Sequence, residues 1–199
     1  MSTSLGYDLL CTQGSYGVEV WKKVSERERA QGHRYPMLLL DGRGPFIPQR
    51  EAAKLLLARC EIQQPRYVFF VGWSYKISSE VYLRWECVNL HCTDLPYGRG
   101  GGPIENLLLR GHTETVMSAH RVTREIDAGP VYGREGPVSL AGSTKEDILR
   151  HFIDPCVTLI NWIVEHRPTP VPQVGEPVLF KRLPLADYEQ FWRDRVAQG

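Results

Sequence analysis

The sequence lacks the features that mark a membrane-spanning, secreted or metal-binding protein. No apolar run approaches the roughly twenty residues of a transmembrane helix, and the polar start Met1-Ser2-Thr3-Ser4 has no secretory signal pattern. The five cysteines are odd in number and form no Cys-x-x-Cys pair, which is typical of buried thiols in a reducing compartment. We therefore expect a cytoplasmic protein with no membrane partner and no bound metal.

A large excess of charge of either sign is also absent. The 24 Lys and Arg residues are balanced by 23 Asp and Glu residues, so the formal net charge is +1. This balance predicts no sequence-independent attraction to nucleic acid, because that attraction depends on an excess of basic side chains. At 199 residues the chain can bury the core of one domain and has little room for a second. These limits favour a small-molecule partner and no nucleic acid.

Strand-like and helix-like segments alternate along the chain, which is the pattern of an α/β fold. Short apolar runs predict the strands, and apolar residues three and four positions apart predict the helices. A capping box at 143–146 is expected to open a long helix that ends at His166 and bends at Pro155. We expect a Rossmann-like, mostly parallel twisted sheet with helices on both faces. Its strands are predicted at 5–11, 37–40, 67–71, around 88, 116–122 and 130–138, and its helices at 18–31, 49–62, 79–85 and 103–110.

The stretch from Val88 to Pro103 is the most informative part of the sequence. Asn89 and His91 are one residue apart in an apolar run, and the period of two in a strand places both side chains on one face. There Asn89 can donate to an oxygen that becomes negative, and His91 can donate a proton or stabilise the same charge. A nearby carboxylate, Asp127, can orient the imidazole, raise its pKa or accept a proton. Such a set suits acyl transfer through a tetrahedral intermediate.

Residue types alone leave other interpretations open. Asn and His also occur together at strand ends, where they satisfy backbone groups in a turn. The Gly-rich run from Gly98 to Gly102 can cradle an anion or can serve only as a loop before a helix. It has no Gly-Lys-Ser/Thr ending, so a phosphate-binding P-loop is not expected.

Further motifs accompany Asn89 and His91 in a fixed order along the chain. They are the apolar strand and loop at 67–77, Leu95-Pro96, Arg99-Gly100, the helix at 103–109, the turn at 110–116 and Asp127-Ala128-Gly129-Pro130-Val131. In this order and spacing the chain resembles the folate-dependent formyltransferases, which include glycinamide ribonucleotide, methionyl-tRNA and amino-sugar N-formyltransferases. The resemblance is close over residues 65 to 150 and weak elsewhere. It implies the formyltransferase fold for residues 1–167, with a short C-terminal extension at 168–199 that is not an independent domain.

The resemblance also implies a reaction and a set of roles. A primary amine on a small molecule would attack the formyl group of N10-formyltetrahydrofolate, with no covalent enzyme intermediate and no metal. Asn89 and protonated His91 would stabilise the oxyanion. Asp127 would hold His91 charged and help to carry a proton from the amine to the folate nitrogen. The acceptor class that this resemblance favours is an amino sugar linked to a nucleotide or a related metabolite.

The same resemblance assigns binding residues on either side of the catalytic set. Trp73, Tyr75 and Ile77 are expected to line the pterin cleft together with Asp127, although aromatic residues at the end of a strand are also common in cores. Independently of the resemblance, alternation places His120 on one face with Ser118 and Val122 beside the site, so His120 is a candidate contact of the acceptor, although a lone histidine on a strand is more often a structural residue with its hydrogen bonds satisfied. The loop after the first strand would contribute Gly14 and Ser15. This loop stops short of the family's Gly-Ser-Asn, which puts glycinamide ribonucleotide in doubt as the acceptor, and the three glycines at 100–102 predict a loose loop beside the site.

The sequence allows two interpretations of the C-terminal part. After a proline-rich connector that begins at Pro168, the tail is either a strap packed over the core or an element that helps to dimerise the protein or shape the acceptor site, as the resemblance of Phe180-Lys181-Arg182 to sugar N-formyltransferases implies. A homodimer through the tail or the late strands is one expectation.

Formyltetrahydrofolate hydrolase and a folate-binding protein without turnover are the two alternatives to an N-formyltransferase.

Overall fold

The computed structural model describes residues 8–29, 36–39 and 48–197. The strands are β1 (Leu9–Thr12), β2 (Met37–Leu39), β3 (Tyr67–Val71), β4 (Glu86–His91), β5 (Tyr97–Gly100), β6 (Glu114–Arg121), β7 (Val131–Ser139) and β8 (Val178–Phe180). The helices are α1 (Ser15–Arg29), α2 (Gln49–Gln63), α3 (Ser79–Tyr82), α4 (Pro103–Leu109), α5 (Lys145–Arg150), α6 (Ile153–His166) and α7 (Leu185–Ala197). Part of the predicted first strand, residues 5–7, and the end of the predicted first helix lie outside the described residues.

The central sheet has six strands in the order β2-β1-β3-β4-β6-β7. The first four in this order run parallel, and β6 and β7 are antiparallel to their neighbours. Strand β3 is buried along its whole length, as expected for a central parallel strand that is covered on both faces. The predicted α/β fold with a mostly parallel sheet is confirmed, and the two antiparallel strands make the sheet mixed.

Hydrophobic cores lie on both faces of the sheet. On one face α1, α5 and α6 pack over side chains such as Phe69, Val88 and Met117. On the other face α2 and α3 pack over side chains such as Phe70 and Cys87. Alternation along β3 and β4 sends successive side chains to opposite cores. The second face also carries the functional residues described below.

The C-terminal tail contributes a strand beside the Gly-rich segment. Strand β8 pairs in parallel with β5, and the N–H of Gly101 donates to the carbonyl of Phe180 at 3.2 Å. Upstream in the tail, Val171 and Val131 exchange two backbone hydrogen bonds of 2.7 and 2.8 Å. The expectation of a loose glycine loop is therefore wrong, because its backbone is fixed by a second, two-stranded sheet.

The predicted long helix is divided into α5 and α6, with a turn at His151 and Phe152. Proline 155 has no N–H to donate to the carbonyl four residues earlier, and its ring would collide with that carbonyl in a continuous helix. The break therefore precedes Pro155, which lies in the first turn of α6, so the prediction of one bent helix is wrong. The capping box uses Thr144 and Asp147, whose side chains bond each other's backbone N–H at 3.1 and 3.2 Å, one residue later than predicted.

The cysteines are all free and buried, as the sequence predicts. Burial raises the pKa of each thiol, to about 12 for Cys60 and Cys92, so these side chains behave as inert core groups. Within the ranges given above, no helix combines the length and apolar character needed to cross a membrane.

Candidate active site

Three elements bring four polar side chains together at the end of β4. Asn89 and His91 lie on β4, His120 lies on the neighbouring β6, and Asp127 lies in the loop between β6 and β7. The antiparallel register places Asn89 opposite His120 and His91 opposite Ser118. The predicted alternation of Asn89 and His91 is therefore realised, and both side chains face the core that contains Cys87.

The carboxylate of Asp127 is the centre of this group, which we call the Asp127 cluster: Asn89, His91, His120 and Asp127. Its Oδ1 accepts from Asn89 Nδ2 at 3.3 Å and lies 3.3 Å from His120 Nε2. Its Oδ2 accepts from the backbone N–H of Gly100 at 2.9 Å and lies 3.7 Å from His91 Nδ1. The carboxylate therefore contacts every other member of the cluster.

The surroundings of Asp127 favour its ionised form. Burial raises the pKa of Asp127, but the hydrogen bond from His120, the two neighbouring imidazoles and the Gly100 N–H lower it by more. The pKa is thus held well below its ordinary value of 3.8. Asp127 is a carboxylate at neutral pH and a weak base, so it is suited to orient groups and stabilise positive charge rather than to remove a proton.

The backbone of the Asp127 loop adopts an uncommon conformation. Asp127 has a φ of +51°, in the left-handed region that non-glycine residues rarely enter. Two residues later, a side chain at Gly129 would collide with the backbone carbonyl of Arg121, so only glycine fits there. The Asp-x-Gly spacing of the sequence thus reflects a tight turn that aims the carboxylate back towards β4.

The ring of His91 is buried and fixed by a backbone carbonyl. Its Nε2 lies 2.8 Å from the carbonyl of Gly98, which can only accept, so Nε2 carries the proton. Burial lowers the pKa of His91 below its ordinary value of 6.5; Asp127 and the Gly98 hydrogen bond raise it, but by less. The expectation that Asp127 keeps His91 protonated is therefore wrong for this structure. His91 is a neutral imidazole, and its unprotonated Nδ1 faces the carboxylate.

His120 is part of the Asp127 cluster. The ring is 2% exposed, its Nδ1 donates to the carbonyl of Arg121 at 3.0 Å, and its Nε2 lies 3.2 Å from Asn89 Nδ2 and 3.3 Å from Asp127 Oδ1. Both ring nitrogens are thus engaged within the protein. The expected contact between His120 and the acceptor stays a prediction, whereas its contacts with Asn89 and Asp127 are observed.

The aromatic loop after β3 lies on the same face of the sheet. The rings of Trp73 and Tyr75 pack edge to face at 5.6 Å, and Trp73 also packs on Phe70, which is paired in register with Asn89. Tyr75 is buried, Trp73 and Ile77 are half-buried, and the latter two pack against the second core. The loop thus reaches the neighbourhood of Asn89, and its assignment to folate stays a prediction.

The loop after β1 lies at the same edge of the sheet, further from Asn89. Gly14 is half-buried with a φ of +113°, and Ser15 is exposed at the first position of α1. Strand β3 separates β1 from β4, so two inter-strand spacings of about 4.8 Å place this loop on the order of 10 Å from β4. The structure does not bring Gly14 and Ser15 into the Asp127 cluster.

Sequence reasoning misses the groups that hold the Asp127 cluster in place. The Gly98 carbonyl and Gly100 N–H are backbone atoms of β5 and have no side-chain signal. Gln173, in the tail, donates to the carbonyls of Asp127 and Gly129 at 2.8 Å each. Where the structure describes the chain, no three His, Cys, Asp or Glu residues are grouped so that they could hold a metal ion.

A family model described as formyl transferase matches residues 18–160, which include the whole Asp127 cluster. The chain belongs to the formyl transferase family. The methionyl-tRNA formyltransferase of Thermobifida fusca is 34% identical over 101 residues. The aligned residues cover 49% of this chain and 33% of that relative. The chain thus spans about a third of the length of the curated relatives it matches.

Solved structures share the fold of this formyl transferase family member. A methionyl-tRNA formyltransferase from Clostridium thermocellum is 25% identical, with a TM-score of 0.75 over 94% of this chain and 81% of that one. The formyltransferase PseJ from Anoxybacillus kamchatkensis, in complex with UDP-4,6-dideoxy-4-formamido-L-AltNAc and tetrahydrofolate, is 14% identical. Its TM-score is 0.58 over 94% of this chain and 90% of that one. The fold and family that the sequence motifs predict are both confirmed.

Proposed function

We propose that this chain transfers a formyl group from N10-formyltetrahydrofolate to a primary amine on a small molecule, and that the acceptor is an amino sugar. The observation that carries the proposal is the meeting of Asn89, His91 and Asp127 around one carboxylate at the end of β4. These are the residue types and positions that the family resemblance assigns to catalysis. The family match over residues 18–160 supports the same conclusion.

The reaction forms a bond between the amine nitrogen and the formyl carbon, and breaks the bond between that carbon and N10 of the folate. One proton leaves the amine and one arrives at N10. Asn89 Nδ2 donates to the oxygen of the tetrahedral intermediate, for which one of its hydrogens turns from its present acceptor, Asp127 Oδ1. Removing a donor of this kind typically costs roughly a hundred-fold to a thousand-fold in rate.

The proton from the amine goes to Nδ1 of His91, whose lone pair faces Asp127 at 3.7 Å. The neutral ring is a better base than Asp127, because the pKa of Asp127 is held well below its usual range. Once His91 is charged, the adjacent carboxylate stabilises the imidazolium. The charged ring can then return the proton to the leaving nitrogen.

This role for His91 predicts an acid limb in the pH profile of kcat/KM. The neutral ring is required and its pKa lies below 6.5, so activity should rise with pH through that pKa and reach its plateau by near-neutral pH. Asp127 raises this pKa and His120 lowers it, so removing the carboxylate should move the limb to lower pH. Measuring kcat/KM over a pH series locates the limb; a midpoint above 6.5 would contradict a neutral His91.

The folate is proposed to bind against Trp73, Tyr75 and Ile77, with Asp127 at the reacting end. The indole Nε1 of Trp73 is buried and has no hydrogen-bond acceptor among the residues that the structure describes, which suits a loop that receives a polar heterocycle. The loop itself is firmly held. Gln13 Oε1 accepts from Ser74, and Gln49 exchanges two hydrogen bonds with the backbone of Lys76 at 2.7 and 2.8 Å.

An amino sugar is proposed as the acceptor on the basis of charge and fold. The formal charge of +1 provides no excess of basic residues for a polyanion. The fold is shared with PseJ, whose structure contains a formamido sugar nucleotide. Gly14 and Ser15, on the order of 10 Å from β4, are proposed to contact the far part of such a substrate, and His120 is proposed to contact its amine end.

A thermal shift with N5-formyltetrahydrofolate, followed by transfer assays, tests the proposal. At a hundred times its dissociation constant the bound folate should stabilise the protein by about 2.7 kcal/mol, which corresponds to several degrees. With N10-formyltetrahydrofolate we expect transfer to nucleotide-linked amino sugars and not to methionyl-tRNA. Formate release without any amine would instead indicate a hydrolase. A protein with neither a shift nor turnover would contradict the folate assignment.

A further inference from the structure

Gln173 is the half-buried residue in an otherwise exposed stretch of the tail from Val171 to Leu179. Its Nε2 donates to the carbonyls of Asp127 and Gly129, both at 2.8 Å. Its Oε1 accepts from Nε and Nη2 of Arg99 at 3.0 and 2.8 Å. Both amide hydrogens and both lone pairs of the oxygen are therefore used, which fixes the orientation of the amide.

The two partners of Gln173 are attached to the catalytic group by their backbones. One carbonyl that it binds belongs to Asp127 itself, whose φ of +51° needs support from surrounding contacts. Arg99 lies between Gly98, whose carbonyl binds His91, and Gly100, whose N–H binds Asp127. One side chain thus links the segment that presents the carboxylate to the segment that orients both the carboxylate and the imidazole.

The tail holds Gln173 at this place from both sides. Before it, Val171 and Val131 exchange two backbone hydrogen bonds. After it, β8 pairs with β5, and Asn106 Nδ2 donates to the carbonyl of Lys181 at 2.8 Å. The amide is therefore carried by a segment with fixed ends rather than by a free loop.

We propose that Gln173 and Arg99 form a positioning pair that sets the distance between Asp127 and His91. The pair touches none of the reacting atoms and acts through the backbone of the two segments it joins. This inference rests on the proposed function for its effect on rate, whereas its effect on the geometry of the Asp127 cluster does not depend on it. The tail is then a part of the active site.

Gln173→Met is the first test, because methionine keeps the length of the side chain and removes all four hydrogen bonds. A displacement of Asp127 by about 1 Å is expected to lower kcat by roughly a hundred-fold, with KM for the folate within about threefold. Gln173→Glu keeps an acceptor for Arg99 and faces the carbonyls of Asp127 and Gly129 with a carboxylate, so it should be at least as damaging. Val174→Ala, at the adjacent position with 87% exposure, is the control and should retain full activity.

A substitution of Arg99, the hydrogen-bond partner of Gln173, tests the same inference if Gln173→Met folds poorly. Arg99→Met should reproduce the loss of kcat, and the double variant Arg99→Met/Gln173→Met should be no slower than the worse single variant, because the two residues act as one unit. Independent, multiplied losses in the double variant would overturn the pairing.

Histidine-ring NMR provides a readout that needs no activity. Asp127 raises the pKa of His91, so loss of Gln173 should lower the midpoint of the His91 titration, whereas Val174→Ala should leave that midpoint unchanged. Should the wild-type protein transfer no formyl group, the proposed function fails and the titration still decides the positioning role. An unchanged His91 titration, or wild-type kcat in Gln173→Met, would overturn the inference.

Discussion

Replacing His91 with alanine is expected to lower kcat for formyl transfer by roughly a hundred-fold to ten-thousand-fold, the usual range for loss of a positioned general base. The ring supplies the unprotonated Nδ1 that faces Asp127. Folate affinity should stay within about tenfold, because the proposed pterin contacts lie in the loop that contains Trp73. Steady-state kinetics and the thermal shift with N5-formyltetrahydrofolate measure the two effects separately.

A second substitution and a matched control make this result specific. His91→Gln keeps an N–H that can reach the Gly98 carbonyl but has no basic nitrogen, so it should restore stability and leave the rate low. His166→Ala removes an exposed imidazole that stacks on Trp162 at the end of α6, and should leave kcat unchanged. Equal turnover in His91→Ala and the wild-type protein would remove the proposed mechanism.

The part of the site that lies on strands could be predicted from the sequence. Alternation along β4 predicts that Asn89 and His91 share a face, and the pairing of β4 with β6 puts them opposite His120 and Ser118. The loop position of Asp127 follows from the two strands that flank it. A period of two is a local property of the chain, so the shared face of Asn89 and His91 needs no knowledge of distant contacts, whereas the pairing of β4 with β6 joins residues 31 positions apart.

The contacts that complete the site depend on residues that are distant in sequence. Gln173 binds the carbonyl of a residue 46 positions earlier, and Arg99 binds Gln173 across 74 positions. Strands β5 and β8 are only four and three residues long, and neither has an alternating apolar pattern. Backbone atoms such as the Gly100 N–H belong to every residue type, so no motif could identify them as ligands of Asp127.

The protonation state of His91 is a further property that could not be predicted from the sequence. An Asp and a His in one site predict an ion pair, since opposite charges favour each other. The ring is 6% exposed, however, and the cost of burying its charge exceeds the benefit from Asp127. A sequence records which groups meet and does not record how far they are removed from water, so the sign of a pKa shift needs the folded structure.

Asparagine at position 127 is expected to lower kcat by roughly a hundred-fold to a thousand-fold while the fold is kept. The substitution preserves the shape of the side chain, and asparagine tolerates the left-handed backbone conformation that this residue requires. Its amide oxygen can still accept from the Gly100 N–H, but it no longer offers a negative charge to the imidazolium that forms at His91. Kinetics of Asp127→Asn measure the loss, and Asp154→Asn, at an exposed position on α6, is the control.

The same variant carries a stability signature whose sign follows from the pKa of Asp127. A carboxyl whose pKa is lower in the folded than in the unfolded protein stabilises the fold above its ordinary value of 3.8, and this contribution is lost as the pH falls towards the folded-state pKa. Asp127→Asn should therefore unfold at a lower temperature than the wild-type protein at neutral pH, and the difference should shrink as the pH falls below 3.8. A difference in unfolding temperature that stays constant or grows in acid would show that the Asp127 cluster does not hold this carboxylate in its charged form. The proposed stabilisation of the His91 imidazolium by Asp127 would then have no support.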